Sequence, residues 1–421
     1  MTGQARNETR ISPATAATMH LSWKATLSGA IASSPTVVAG RVYVGDWGGD
    51  EWALDAASGT VLATANLGTT PEGNCAPPVL GISSAAACDE GNLYLAGGDD
   101  SFYSLDPLTL ATRWKTKLGD NSPSGGYYGW SSPSAVGGRV FQGISSHCDD
   151  PFVAGGVVGL DDVSGAVVAA ADLSRATDPS GYGAGVWSSP AIDRDARTIF
   201  VATASASAYE VGLAYSLVRL SLENLAVQDS WRIPIEDYRA VPDADWGSSP
   251  TLFRDAEGRL LVGASQKDGR YYAFERSNLA RGPVWKTPLA TGGECPNCGD
   301  GSISTAAFDG TRLYVGGGRG VNGGGPFRGS VSALDPATGT PIWTFTGLHG
   351  PVLAPVSVAN GVVFATGGTF CVALDAGTGA LLWSFNAGVL LYGGVAISDG
   401  RVFFGDTAGR FYAFEVAGTA P

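Results

Sequence analysis

Short apolar runs bounded by polar turns recur eight times along the chain. Each resembles Arg-Val-Tyr-Val-Gly, the length and composition of a buried strand. These runs occupy residues 41–45, 92–96, 139–143, 198–202, 259–263, 312–316, 361–365 and 401–405. After each run comes a small, apolar and acidic triplet such as Ala53-Leu54-Asp55, and most units then add a Gly turn and a strand that contains Trp. The pattern predicts four short strands in each unit of about 40 to 60 residues.

The triplet and the later Trp both have structural explanations. Further triplets lie at 104–106, 159–161, 273–275, 333–335, 373–375 and 413–415, with a weaker copy at 219–221. The acidic residue can accept backbone N–H bonds in the turn that follows. The later tryptophans are Trp114, Trp231, Trp285, Trp343 and Trp383. Large flat side chains fill the wedge between neighbouring sheets, so we predict that these residues pack the units together.

The two ends of the chain complement each other. The last unit stops at Phe414-Glu415 without a Trp strand, whereas the N-terminus supplies an extra strand, 20–24, that contains Trp23. A ring closes when the first strand completes the last sheet, and closure removes exposed sheet edges. We therefore predict an all-β fold: an eight-bladed β-propeller of four-stranded antiparallel blades, a single domain over 1–421. An open stack of sheets is the alternative.

Composition agrees with many short strands joined by Gly-rich turns, because the 421 residues include 61 Gly, 11 Trp, 14 Tyr and 16 Phe. The net charge of −13 and the lack of a basic stripe argue against binding to nucleic acid. No apolar run approaches the roughly 18 to 20 residues that span a bilayer. We expect a monomer without a membrane span.

The cysteines indicate the cellular compartment of the protein. The six are Cys75, Cys88, Cys148, Cys295, Cys298 and Cys371. Closeness in sequence predicts the disulfides Cys75–Cys88 and Cys295–Cys298, which persist in oxidising compartments. We expect a secreted or periplasmic protein whose signal was removed. A cytoplasmic location stays open.

The motif Ala-Leu-Asp-x-x-Thr-Gly-x-x-x-Trp, present at 333–343 and 373–383, resembles the pyrroloquinoline quinone (PQQ) repeat family over nearly the whole chain. Segments 146–151, 186–190 and 266–272 look most like polyvinyl alcohol dehydrogenase and other quinoprotein alcohol dehydrogenases. The resemblance implies PQQ as cofactor and oxidation of an alcohol or polyol. The same repeat occurs in cofactor-free propellers such as barrel-assembly lipoproteins of the outer membrane.

Aromatic residues mark a candidate ligand site. Trp130, Trp187 and Trp246 precede Ser-Ser-Pro segments where three successive blades would enter a central channel, and Tyr392 has a similar place in the last blade. This repetition predicts contact with a flat cofactor or a sugar-like ligand. The alternative is that these residues only plug the channel.

Charged residues near the same rim suggest chemistry. Asp243 and Asp245 come just before Trp246, and Lys267 and Arg270 lie in the next connection. A carboxylate beside a cation can act as general base and electrostatic stabiliser. The resemblance implies Asp245 as catalytic base and places Lys267, with Arg270 nearby, at the quinone oxygens. The alternatives are a loop-capping Asp and a solvated hairpin Lys.

The chain departs from the family at its calcium ligand. The family has Asn where this chain has Ser205, and Asp149 with Asp150 offers only part of the six to eight oxygens that calcium takes. We predict no metal site of its own, and calcium is in doubt. Gly299 follows Cys-Pro-Asn-Cys where His would be required, which excludes covalently attached haem of the Cys-x-x-Cys-His type.

Other polar residues are candidates for substrate binding, namely His147, Asp149, Asp243, Arg319 and Tyr392. The favoured hypothesis is a PQQ-dependent dehydrogenase that acts on an alcohol or polyol in the central funnel. The alternative is a cofactor-free propeller that uses the funnel as a binding site or for lyase or cyclase chemistry. A scaffold for protein partners is a third possibility.

Overall fold

The computed structural model describes residues 3–73, 75–175, 181–241, 243–322 and 325–418. Over these residues the strands form eight four-stranded antiparallel sheets, which confirms the predicted all-β, eight-bladed propeller. The chain divides into two compact units. The first comprises Leu27–Asp55 and Thr60–Ile235, and the second comprises Met1–Thr26, Ala56–Gly59 and Glu236–Pro421.

A short helix and one strand precede the blades. These are α1 (Pro13–Ala16) and β1 (His20–Thr26). Ser12 caps α1 through a reciprocal pair of hydrogen bonds with Thr15, and Pro13 occupies the first helical position.

The first unit contains four blades, each made of four consecutive strands. The strands are β2 (Thr36–Val38), β3 (Arg41–Gly45), β4 (Asp50–Asp55), β5 (Val61–Asn66), β6 (Ala87–Asp89), β7 (Asn92–Ala96), β8 (Ser101–Leu105), β9 (Thr112–Lys117), β10 (Ser134–Val136), β11 (Arg139–Ile144), β12 (Gly156–Asp161), β13 (Val167–Asp172), β14 (Ala191–Asp193), β15 (Thr198–Ala202), β16 (Ser216–Ser221) and β17 (Val227–Arg232). The weak triplet 219–221 ends β16, so that unit is a complete blade.

The second unit contains the other four blades. Its elements are α2 (Ile235–Ala240), which begins at the unit boundary, β18 (Thr251–Arg254), β19 (Leu260–Ser265), β20 (Arg270–Glu275), β21 (Trp285–Pro288), β22 (Ala307–Phe308), β23 (Leu313–Gly317), β24 (Gly320–Asn322), β25 (Gly325–Phe327), β26 (Ser330–Leu334), β27 (Pro341–Phe345), β28 (Ser357–Ala359), β29 (Val362–Gly367), β30 (Phe370–Asp375), β31 (Leu381–Asn386), β32 (Ala396–Ser398), β33 (Arg401–Gly405) and β34 (Arg410–Glu415). Single 3₁₀ turns lie at Leu279–Arg281 and Pro296–Cys298. The hairpin β24–β25 is inserted into the blade β22-β23-β26-β27.

Burial follows the position of a strand in its blade. The third strand β8 is buried along its whole length, whereas the fourth strand β9 alternates between exposed and half-buried residues. Middle strands have both faces covered by side chains, and outer strands have an edge in water. The strands that carry the Arg-Val-Tyr-Val-Gly pattern are therefore apolar on both faces.

The recurring tryptophans pack against glycines of the following blade. Trp343 Nε1 donates to the backbone oxygen of Ala376, 3.1 Å away, and Gly379 lies against the Trp343 ring at φ +74°. Trp285 makes the same contact with Pro336 and Gly339. A side chain on either glycine would enter the indole ring, which explains why the turn requires Gly. The predicted packing role is confirmed for Trp114, Trp285, Trp343 and Trp383.

Strand β1 completes the last blade. It pairs antiparallel with β34, from His20 opposite Glu415 to Thr26 opposite Arg410. Trp23 on β1 donates through Nε1 to the backbone oxygen of Ala56 at 3.1 Å and packs on Gly59 at φ +71°. The predicted closing role of the N-terminal strand is confirmed.

One predicted disulfide is confirmed and one is wrong. Cys295 and Cys298 are bonded, as expected. Cys75 is bonded to Cys148 and not to Cys88. Cys88 lies within β6, where it pairs with Leu93 and packs in the hydrophobic core, so its thiol cannot reach the loop that contains Cys75.

Candidate functional site

A lysine held between two carboxylates is the most strongly charged buried feature among the candidate residues. Lys267 Nζ lies 2.7 Å from Asp243 Oδ2 and 2.8 Å from Asp245 Oδ1. The side chain of Lys267 is 13% exposed and that of Asp245 only 4%, while Asp243 reaches solvent with 34%. We call these three residues the Lys267 centre.

The repeat itself brings the two halves of the Lys267 centre together. Lys267 lies in the turn between β19 and β20, and its backbone N–H donates to the oxygen of Asp245 in the segment before β18. The last blade has the same bond from Thr407 to Leu390, at 3.0 Å. The backbone geometry is therefore general to the blades, and the fifth blade differs in placing opposite charges at these two positions.

Electrostatics keep Lys267 charged. Burial alone would lower the pKa of its ammonium, but the adjacent carboxylates of Asp245 and Asp243 outweigh that effect and raise the pKa above its ordinary value. Lys267 is therefore a permanent cation near neutral pH, directly beside an almost fully buried carboxylate. Such a pair can accept a proton at one group and stabilise negative charge at the other.

Arg270 has partners apart from this centre. Its guanidinium lies 2.7 Å from Asp268 and 3.7 Å from Asp237, which is on α2. Tyr272 donates its hydroxyl proton to the same Asp268 at 2.5 Å. Lys286 approaches Asp237 at 3.8 Å. Arg270 therefore helps to hold α2 against the fifth blade.

Trp246 is fully buried, and its indole packs edge-on against Tyr272 with ring centroids 5.3 Å apart. It also contacts Phe274. Trp246 therefore exposes no face to solvent, whereas Trp130 and Trp187 are half-buried, and its contact with a ligand stays a prediction. Gly247 explains the difference, since it shifts Trp246 by one residue.

The register can be counted from the proline that starts each blade. Trp246 is four residues before Pro250, as Ile31 is before Pro35, and Ile31 is also fully buried. Trp130 and Trp187 are three residues before their prolines and are half-buried. Only the three-residue spacing leaves the ring partly accessible, a distinction that counting along the sequence would have revealed.

In the first unit, Trp130 and His147 lie together. Trp130 Nε1 donates to the backbone oxygens of Ser146 and His147, at 3.1 and 3.0 Å. Tyr128 packs edge-on against Trp130 at 4.8 Å and also approaches the imidazole of His147. Burial lowers the pKa of His147, so its ring is neutral near pH 7. With the indole N–H already engaged, the exposed part of Trp130 is apolar carbon.

Sequence reasoning missed Trp47. Its Nε1 donates to Ser83 Oγ at 3.0 Å, and Ser83 Oγ is 2.8 Å from the hydroxyl of Tyr128. Trp47 thus continues the aromatic cluster of Trp130. The signal was present, because Trp47 follows Asp46 at the turn position that Lys267 occupies in its own blade.

Asp149 forms a hydroxyl-bound cluster in the first unit. Its carboxylate accepts hydrogen bonds from Ser146 Oγ and, at 2.5 Å, from Ser205 Oγ. Two neutral hydroxyls and one carboxylate are too few oxygens for calcium. Within the described ranges, no group of three or more His, Cys, Asp or Glu could hold a metal ion. The side chains around Asp149 therefore supply only part of the oxygens that calcium takes.

Two further candidates contact the loop 291–301. Arg319 forms an ion pair with Asp300 at 2.5 Å, and Tyr392 donates its hydroxyl to Asn297 at 3.1 Å. Burial raises the pKa of Tyr392, an effect that the Asn297 contact opposes. Both candidates are in the second unit, and both contact this loop.

Comparison with known proteins finds relatives of this chain. A PQQ-repeat family model described as outer membrane protein assembly factor BamB matches residues 5–76 and 327–420. The chain is an eight-bladed β-propeller that is similar to the PQQ-repeat propellers. Polyvinyl alcohol dehydrogenases of Pseudomonas sp. and of Sphingopyxis sp. (strain 113P3) are 25% and 24% identical to it, over 92% and 88% of this chain.

The chain spans slightly less than two thirds of these two dehydrogenases, 66% and 63% of their lengths. Among solved structures, quinohemoprotein alcohol dehydrogenase from Comamonas testosteroni superposes with a TM-score of 0.77 at 18% identity. The match covers 100% of this chain and 79% of that one. This likeness supports the fold. In the part of the chain that the structure describes, no helix is long and apolar enough to cross a membrane.

Proposed function

We propose that this protein is a dehydrogenase that oxidises an alcohol or polyol at the Lys267 centre. The observation that supports this most directly is the 2.8 Å contact between Lys267 Nζ and the buried carboxylate of Asp245. The polyvinyl alcohol dehydrogenases that resemble the chain support the substrate class.

Oxidation of an alcohol removes a proton from the hydroxyl and a hydride from the carbinol carbon. Asp245 is the proposed base, since its carboxylate can accept the hydroxyl proton. Lys267 holds positive charge next to the position where negative charge develops on the hydride acceptor. Asp243 holds the Lys267 side chain from the solvent side. These roles need only the two carboxylates that lie within 3 Å of Lys267 Nζ.

PQQ, when bound, would supply the two-electron acceptor for that hydride. A quinone suits the donor chemistry of Lys267, because an ammonium donates to carbonyl oxygens. Trp130 and Trp187 in the first unit remain predicted aromatic contacts for a flat ligand. We derive no step through calcium, since the cluster around Asp149 does not fit it. Two disulfides support an oxidising, exported location.

The test is reconstitution. Purified protein is titrated with PQQ, with and without calcium, and the quinone absorbance and dye reduction are followed with simple alcohols and with polyols. We expect binding without a calcium requirement and turnover that Asp245→Asn lowers by about a hundredfold or more. Lys115→Met is the matched control, since Lys115 forms an exposed pair with Asp99. No PQQ binding at micromolar concentration would refute the dehydrogenase.

A cofactor-free propeller is the second candidate, supported by the BamB family model and by Ser205 at the position where the quinoprotein family has an Asn ligand. It predicts that a polyol binds to the protein without PQQ and is not oxidised. Isothermal titration with a polyol, with and without PQQ, separates the two functions.

A further inference from the structure

The loop 291–301 lies directly on the backbone of Lys267, and we call it the strap. Its first contact is the Gly293 N–H, which donates to the oxygen of Lys267 at 3.0 Å. Directly after its other end, the Ser302 N–H donates to the oxygen of Gln266 at 3.2 Å. The strap therefore begins and ends on the turn that presents Lys267.

Glycines allow this close approach. A Cβ on Gly301, at φ +63°, would lie 2.4 Å from the oxygen of Lys267 and 2.7 Å from its Cα. A Cβ on Gly292 would lie 2.7 Å from the oxygen of Asp268. Backbone packs on backbone here, so the position of Lys267 depends on the conformation of the strap.

The Cys295–Cys298 disulfide closes the tip of the strap between these two attachment points. Asp300 N–H donates to the oxygen of Cys295 at 3.1 Å, next to the closed turn. Asn297 Oδ1, inside the turn, accepts a hydrogen bond from the hydroxyl of Tyr392. The disulfide limits the number of conformations that the strap can adopt. This restriction favours the conformation in which the strap contacts Lys267. Cys298 is exposed, so the disulfide is accessible to small thiols.

We infer that the Cys295–Cys298 disulfide is a redox-sensitive positioning device for Lys267. A dithiol reduces the S–S bond to two thiols and is itself oxidised to a disulfide, after which the strap loosens and Lys267 becomes accessible. The inference goes beyond the proposed function, because it concerns the protection of Lys267 whether or not a cofactor binds.

The experiment measures how fast Lys267 reacts with an acylating reagent, by digestion of the labelled chain and mass spectrometry of its peptides. Lys286, on β21 of the same blade and 47% exposed, is the internal reference. In the oxidised protein we expect slow labelling of Lys267, because the amine is buried and protonated. In Cys295→Ser/Cys298→Ser we expect labelling to be about tenfold faster, equivalent to about 1.4 kcal/mol of local stability.

The matched control is Cys75→Ser/Cys148→Ser, which removes the other disulfide and leaves the strap closed. Lys267 should stay protected in it. Unchanged labelling in the strap variant overturns the inference, and so does an equal rise in both variants, which would indicate general loosening. Wild-type protein treated with a dithiol and then reoxidised provides a second measurement, in which protection should be lost and regained. No arm needs cofactor or substrate, so failure of the dehydrogenase proposal leaves this test unaffected.

Discussion

Two carboxylates stabilise the charged form of Lys267. In turn, burial of a carboxylate beside Lys267 would be unfavourable without its positive charge. Asp245 is almost fully buried, and its charge is matched by an ammonium 2.8 Å away. Removing one member of a buried pair costs much more than removing an exposed pair, because the remaining charge is left desolvated.

Lys267→Met should lower the free energy of unfolding by about 3 kcal/mol, since Asp245 is left without its cation. Urea denaturation at pH 7 measures this loss. The exposed pair in Lys115→Met should lose less than about 1 kcal/mol. Equal losses in the two variants would contradict the desolvation argument. Adding Asp245→Asn to Lys267→Met should restore part of the stability.

Glu51 is a second buried ionisable residue, and its residue type departs from the pattern of the repeat. It pairs with Gly45 in the first blade and is fully buried, with no hydrogen-bond partner for either carboxyl oxygen among the described residues. The equivalent positions of the other blades hold apolar or aromatic residues or Cys, namely Phe102, Val157, Leu217, Tyr271, Val331, Cys371 and Phe411. Burial, with a contribution from nearby Asp46, raises the pKa of Glu51 well above its ordinary value.

This pKa shift makes stability depend on pH with a defined sign. The folded state holds the Glu51 proton more tightly than the unfolded state, so its contribution is complete below the ordinary pKa and is lost as pH rises through the folded pKa. Glu51→Gln should remove that loss and stabilise the protein by about 1 to 3 kcal/mol at pH 8. Thermal unfolding at pH 5 and pH 8 tests it, with exposed Glu223→Gln as control. A gain that is equal at both pH values would refute the assignment.

At the scale of elements, the turn glycine and the tryptophan of the preceding blade form one packing unit. Gly379 faces the ring of Trp343, and a Cβ there would lie 2.6 Å from it. Gly388 has nearly the same φ, +78°, but nothing lies within 4 Å of its Cβ position. Substitutions at these two glycines therefore distinguish the cost of backbone strain from the cost of overpacking.

Gly379→Ala should lower the free energy of unfolding by about 1 to 3 kcal/mol more than Gly388→Ala does. Both variants share the left-handed backbone penalty of about 1 to 2 kcal/mol, and only the first overpacks a core contact. Chemical denaturation of the two variants gives the difference directly. If they are equally destabilised, the glycine is required for φ alone.

At the scale of the whole molecule, the N-terminal strand joins the two ends of the chain. It supplies the outer strand of the last blade and the tryptophan that packs on Gly59. Without it, β34 would present an unpaired edge, which invites pairing between molecules.

Deletion of residues 1–26 should therefore make the protein aggregate and lower its thermal midpoint, as judged by light scattering after size exclusion. Adding a peptide of residues 1–26 should reverse the aggregation, since the strand only has to pair with β34. A deletion variant with the same scattering and thermal midpoint as the full chain would show that β1 is dispensable for closure.

The repeat was predictable because it is local. Each apolar run, acidic triplet and Gly turn sets the hydrogen bonds of one blade within some 40 to 60 residues, and closure follows from the surplus strand that holds Trp23. The proximity of Lys267 and Asp245 was predictable for the same reason, because every blade brings its second turn beside its entry segment.

Partners that join loops of different blades were not predictable. Cys75 pairs with Cys148 across 73 residues because their loops meet, while Cys88, much closer in sequence, is held inside β6. Arg270 likewise pairs with Asp237 because α2 packs against the fifth blade. The sequence by itself determined the blades, their number and their closure, since those depend on short-range patterning. Only the tertiary structure decided which loop side chains meet, because their contacts depend on where distant turns lie and on which charges remain buried together.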